Sequence, residues 1–163
     1  YGYVGGFIIS ALGGATVVVP VPMMAVQFAL GGVLNPLFGA EFMAPVFVGV
    51  VCSLGETLGA LTIYFTGYSS GTPFAHAGAG RIQRAYLRLM GLMERHGSIT
   101  LFLLSAIINP FFYPAALAAG AVRFSIRRYF LICFAGKTIK CTAIAYAGYF
   151  GLRGIFSALA IPL

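Results

Sequence analysis

The sequence predicts an all-α integral membrane protein built as an inverted repeat, each half a re-entrant helical hairpin followed by a transmembrane helix. A cytoplasmic amphipathic helix joins the halves. Three observations lead there. The 163 residues are 60% hydrophobic and only 8% charged, with a mean hydropathy of +0.97. Prolines interrupt two of the apolar stretches, and one of these lies between two basic clusters. The chain also matches itself at an offset of 81 residues.

A soluble domain of this length has too little interior to hide so much apolar surface. The first charged residue is Glu41. Apolar runs at 1–34, 42–66, 99–122 and 129–151 approach or exceed the ~20 residues that cross a bilayer core. No basic segment opens the chain and the apolar character continues past residue 30, so a cleaved signal peptide is not expected. The chain starts at Tyr1 rather than Met, which leaves room for an upstream segment. Cys52, Cys133 and Cys141 lie in apolar runs and read as small buried hydrophobes, without a disulfide or metal framework.

The first element is "GGATVVVPVPMMAVQFALGGVLNP", where Pro20 and Pro22 sit in mid-run and Gly31, Gly32 and Pro36 close it. Proline removes a helical hydrogen bond, so this stretch reads as a hairpin of two half-helices. "PVFVGVVCSLGETLGALTIYFTG", 45–67, reads as one full span. Residues 67–80, rich in glycine and serine, form a loop. In "RIQRAYLRLMGLMERHG", Ile82, Ala85, Leu89 and Leu92 recur at helical spacing beside Arg81, Arg84, Arg88 and Arg95, an interfacial amphipathic helix.

Residues 99–122, "ITLFLLSAIINPFFYPAALAAGAV", separate that cluster from Arg123, Arg127 and Arg128. A single crossing would put the two clusters on opposite sides, against the positive-inside rule. Entry, a turn at Asn109, Pro110 and Pro114, and return keep both clusters cytoplasmic. "YFLICFAGKTIKCTAIAYAGYFG", 129–151, is then the second full span. With 72–97 cytoplasmic, the two hairpins enter from opposite faces and approach tip to tip near the midplane. The charge of +7 therefore points to anionic lipid head groups and not to nucleic acid.

"GETLGALTIYFTGY" (55–68) lies over "GKTIKCTAIAYAGY" (136–149), pairing Gly55 with Gly136, Thr57 with Thr138, Ile63 with Ile144, Gly67 with Gly148 and Tyr68 with Tyr149. Pro22 pairs with Pro114 at an offset of 92. One membrane domain, 1–163, then divides into a repeat at about 7–68, a cytoplasmic part at about 69–97, a repeat at about 99–151 and a tail at 152–163. Inverted repeats with broken helices meeting at mid-membrane are an architecture of secondary transporters. Glu56 and Lys137 occupy equivalent positions, and Lys140 follows one turn later. Ionisable groups at membrane depth face partners or water, so Glu56 is expected to pair with Lys137 or Lys140 beside the hairpins. The pair also fits a purely structural lock between the halves, and Lys140 a snorkelling position.

In "VPVPMMAVQFALGGVLNP", "GETLGALTIYFTGYSSG" and the stretch from "RHGSITLFLLSAIINPFFYPAALAAG" to "AYAGYFG", the sequence resembles the DedA/VTT family of SNARE-associated-Golgi-type membrane proteins. The likeness covers roughly 13–151. It implies opposed re-entrant hairpins, a membrane-embedded acid matched by Glu56, and lipid handling by flippases for polyprenyl phosphate or by phospholipid scramblases, in a bacterial plasma membrane. Family members commonly carry arginines at the second proline turn; here Asn109 stands there and the first arginine is Arg123.

His76 and His96 lack neighbouring ligands for a metal, and no aspartate is present for a nucleophilic triad, so neither a cofactor nor an enzyme is expected. The residues singled out for lipid binding and transport are Glu56, Lys137, Lys140, Pro20, Pro22, Asn109, Pro110, Pro114 and Arg123. A flippase or scramblase heads the functional readings. A structural subunit of a larger membrane complex is the alternative, small-solute export a third, and a homo-oligomer is compatible with each.

Overall fold

A computed structural model describes residues 2–16, 22–35, 41–70, 80–108 and 111–158, with no side-chain detail at 81–83, 85, 153 and 155–158. Six α-helices follow in order: α1 (Gly2–Ala15), α2 (Met23–Val33), α3 (Ala44–Ser70, after a short 3₁₀ turn at Glu41–Met43), α4 (Arg81–Ala106), α5 (Phe112–Ala121) and α6 (Ile126–Ala158). There is no strand among the described residues.

Each break has a local cause. Thr16 ends α1 by turning both its N–H and its hydroxyl back to the Leu12 carbonyl. Pro22 caps α2, and its carbonyl accepts from Val26 N–H at 3.1 Å. At the far end of α4, Ile107 is already extended (φ −102°, ψ 144°). Pro114 lies inside the first turn of α5 instead of preceding it, where its missing N–H has no helical acceptor to lose. Pro20, Asn109 and Pro110, also expected at the breaks, lie outside the described residues.

Three boundaries differ from the sequence reading: α3 continues to Ser70, into the stretch 67–80 expected as a loop, of which 71–79 lie outside the described residues, and α4 and α6 differ as follows. The amphipathic segment and the first arm of the second hairpin form one helix, α4, bent at His96 (φ −137°, ψ 37°). Beside the bend Gly97 packs on the Phe124 ring, where an added Cβ would come within 2.9 Å of Cε2. The last span starts earlier and ends later than 129–151, as the 33-residue α6.

Glycine decides how the helices meet. The first arms pack on the span that follows them, α1 on α3 and α4 on α6; the second arms cross over, α2 to α6 and α5 to α3. Gly55 lets the Phe7 carbonyl of α1 approach, and Gly136 does the same for the Phe102 carbonyl of α4. Gly67 receives Leu117 of α5, and Gly148 receives Phe28 of α2. Gly31 lies against Ala145 and Gly120 against Tyr64, two spots again 81 residues apart. Small residues at such contacts allow backbones to touch, the usual basis of helix association in lipid.

The interior is correspondingly small: Ala44, Ala60, Ala115, Ala116, Ala118, Ala119 and Ala145 are fully buried. Tyr129 and Leu101 are buried with them, but many other large apolar side chains point outward. Val4, Ile8 and Leu12 form an exposed stripe along α1, and Leu131, Ile139 and Phe150 are 56–68% exposed on α6. A water-soluble bundle does the reverse. Residues 41–70 (mean hydropathy 1.8) and 126–152 (1.3) are long and apolar enough to cross a membrane.

Candidate functional site

Glu56 lies halfway along α3, in a helix that offers no other charge, and is 1% exposed. Lys140 Nζ donates to its Oε2 at 2.7 Å, and Lys137 Nζ stands 3.4 Å from the same oxygen. Lys137 also donates to the Glu56 backbone carbonyl at 3.1 Å and lies 4.4 Å above the Phe112 ring. Oε1 is held from the other side. Gln27 Nε2 of α2 donates to it at 2.7 Å and also to Ser10 Oγ of α1 at 3.4 Å, and Cys141 Sγ approaches Oε1 at 3.5 Å. Thus α2 and α6 hold the carboxylate that α3 carries, while Ser10 of α1 and Phe112 of α5 touch its partners. The reason is proximity: Gly14 lies directly on the Glu56 backbone, and Gly59 on Ala11 and Gly14.

Charge and hydrogen bonding leave the cluster incomplete. One carboxylate faces two amines, a formal charge of +1 away from water. Gln27 is completely buried, yet its Oε1 has no hydrogen-bond partner among the described residues. An unmet buried acceptor is uncommon in a folded interior.

Beside the cluster is a cavity of about 70 Å³. Met23 and Met24 from the start of α2, Ser105 and Ile107 from the end of α4, and Tyr113 from the start of α5 border it with Glu56 and both lysines. It exceeds the ~10–15 Å³ that a water molecule requires. Both helix breaks therefore converge on the charged groups. Tyr113 ties them together, its hydroxyl donating to the Gly13 carbonyl at 3.2 Å. A second polar link joins the spans where Ser53 and Thr138 share a 2.8 Å hydrogen bond.

Of the residues singled out from sequence, Glu56, Lys137 and Lys140 come together, and both lysines use the same oxygen. Pro22 caps α2 and Pro114 lies in the first turn of α5, the two helices whose starts border the cavity. Arg123 goes elsewhere. It occupies the corner after α5 with φ 53°, where Phe124 N–H bonds to the Ala119 carbonyl and Arg123 N–H to the Gly120 carbonyl, both at 2.9 Å. That pattern normally takes glycine at the left-handed position. Its guanidinium lies 5.4 Å from the Tyr68 ring centroid, twelve residues and roughly 18 Å of helix beyond Glu56. Gln27, Ser10 and Tyr113 were missed. Gln27 had a signal, as one of only two side-chain amides, with Asn35, in the apolar first forty residues.

An all-helical body with an apolar exterior, a glycine-rich interior and one charged cluster between helix breaks defines a helical membrane protein. The VTT domain family model matches residues 19–150, and the chain belongs to that family, the membrane-associated DedA/SNARE-associated Golgi group. Its members are generally proposed as transporters or flippases. Searches of curated proteins and of solved structures find no match.

Proposed function

We propose that this chain moves a phosphate-bearing lipid, a polyprenyl phosphate or a phospholipid, across a bilayer without covalent chemistry. On this reading α1 with α2, and the inner part of α4 with α5, are hairpins that dip in from opposite faces between the spans α3 and α6. Residues 72–97 then lie on the cytoplasmic side of a bacterial plasma membrane. Support for an inverted repeat comes from the crossed packing of the second arms and from the matched glycine contacts at the 81-residue spacing.

The observation that carries the proposal is the Glu56–Lys137–Lys140 cluster beside a cavity bordered by the starts of α2 and α5. Helix N-termini present partial positive charge, and two lysines add to it. A lipid phosphate reaching the cavity replaces Glu56 as the partner of the amines, while its acyl chains stay along the apolar outer faces. Irregular backbone at that depth is tolerable where it borders such a cavity.

Reconstitution in liposomes carrying leaflet-specific labelled lipids tests this. Accelerated exchange of phosphate-bearing lipid between leaflets, lost in Glu56→Gln, is the expected result. No acceleration by folded, inserted protein overturns it.

A further inference from the structure

Two further cavities lie together along α4 from its bend, and neither is bordered by Glu56 or its lysines. One, about 580 Å³, is a notch bordered by Glu94, Arg95, His96 and Phe124. The other, about 380 Å³, is an almost wholly apolar groove between Phe102 and Leu103 of α4 and Leu131 and Ile132 of α6. Ser98 and Ile99 border both, so the notch and the apolar groove adjoin on the same turn of α4. We propose that this joined notch and groove is a binding seat for one anionic phospholipid, with its head group in the notch and an acyl chain in the groove.

Several features favour that occupant. The bend at His96 turns the polar part of α4 away from its apolar continuation, so charged and apolar walls succeed each other over one helical turn. Phe124 is a fixed floor, since Gly97 packs on its ring and its carbonyl accepts a hydrogen bond from the Tyr64 hydroxyl. Arg127 and Arg128, both exposed, precede Leu131 and Ile132 by four residues each and so lie one turn above them on the same faces of α6. With Arg95, which borders the notch beside Glu94, they make three arginines on the two helices that line the notch and groove, against the one carboxylate among the bordering residues. A head group of negative charge fits that balance better than a zwitterionic one. The groove, by contrast, offers an acyl chain apolar walls along its length.

The seat rests on the membrane orientation given above, but its test needs no transport. The chain has no tryptophan, so Leu103→Trp installs a single fluorescent reporter in the groove. In reconstituted vesicles, quenching by phosphatidylglycerol with brominated acyl chains is compared with quenching by brominated phosphatidylcholine. The expected outcome is a relative binding preference for the anionic lipid of about fivefold for each arginine engaged. Ile139→Trp, on the outer face of α6, is expected to show no preference. Neutralising the entrance with Arg95→Gln, Arg127→Gln and Arg128→Gln should reduce the Leu103→Trp preference to the Ile139→Trp level. Ile99→Trp serves as a second reporter should Leu103→Trp not fold. Equal quenching by both lipids in the groove overturns the proposal, as does a preference that survives the triple substitution.

Discussion

Lys140 Nζ lies 2.7 Å from Glu56 Oε2, and Lys137 Nζ reaches the same oxygen at 3.4 Å, so one buried carboxylate holds two amines of the facing helix. The three groups are interdependent, because removing any one changes what the others face. Breaking a buried pair typically costs about 3–5 kcal/mol by stranding a charge. Glu56→Gln is therefore expected to lower the thermal unfolding midpoint in detergent strongly. Glu56→Gln combined with Lys140→Met should recover part of the loss, which a double-mutant comparison of midpoints measures.

Gln27 holds the other oxygen of the same carboxylate. Gln27→Leu removes a hydrogen bond to a charged group, worth about 1.5–3 kcal/mol, and should destabilise the protein by that order. Gln27→Glu places a second carboxyl 2.7 Å from Glu56 but beside two amines that one carboxylate leaves unbalanced, so it should cost less than Gln27→Leu. Thermal midpoints that rank the two variants the other way contradict the geometry.

The glycines divide by what surrounds them. At Gly31 a Cβ meets the backbone of Ala145, and at Gly148 the backbone of Phe28, so Gly31→Ala and Gly148→Ala should each unseat α2 from α6. Gly91, on the amphipathic part of α4, has nothing within 4 Å. Gly91→Ala should instead stabilise that helix by about 0.5–1 kcal/mol through helix propensity. Paired melting curves of the three variants check the contrast.

The proposed re-entrant arrangement has a direct topological consequence. Cysteines substituted at Arg84 and Ser125 flank residues 85–124 and should react with an impermeant maleimide from the same side of the membrane. One substituted at Phe42, before α3, should react from the opposite side. The native Cys52, Cys133 and Cys141 are buried and form a quiet background. Labelling of Arg84→Cys and Ser125→Cys from opposite faces would rule out a second hairpin.

Much of this protein could be read along the chain. Apolar runs and prolines announce helices and their interruptions because lipid offers no water to satisfy an open backbone. Thus the break near Pro22, the break between Ile107 and Phe112, and a continuous helix through Glu56 all followed from residue order. The meeting of Glu56 with the lysines also followed, from the offset that pairs it with Lys137. Order alone could not choose between Lys137 and Lys140, since both lie on one side of α6 a turn apart.

Tertiary packing decided the rest. The crossing of α2 to α6 and α5 to α3 depends on which glycine lies flush with which carbonyl, a matter of helix rotation that a linear pattern does not encode. The same contacts carried Gln27 onto Glu56 and left Arg123 at a distant corner. The sequence by itself determined an apolar, interrupted helical protein with a few costly charges. Only close backbone contact, possible where side chains are absent, determined that those charges share a single carboxylate between two broken helices.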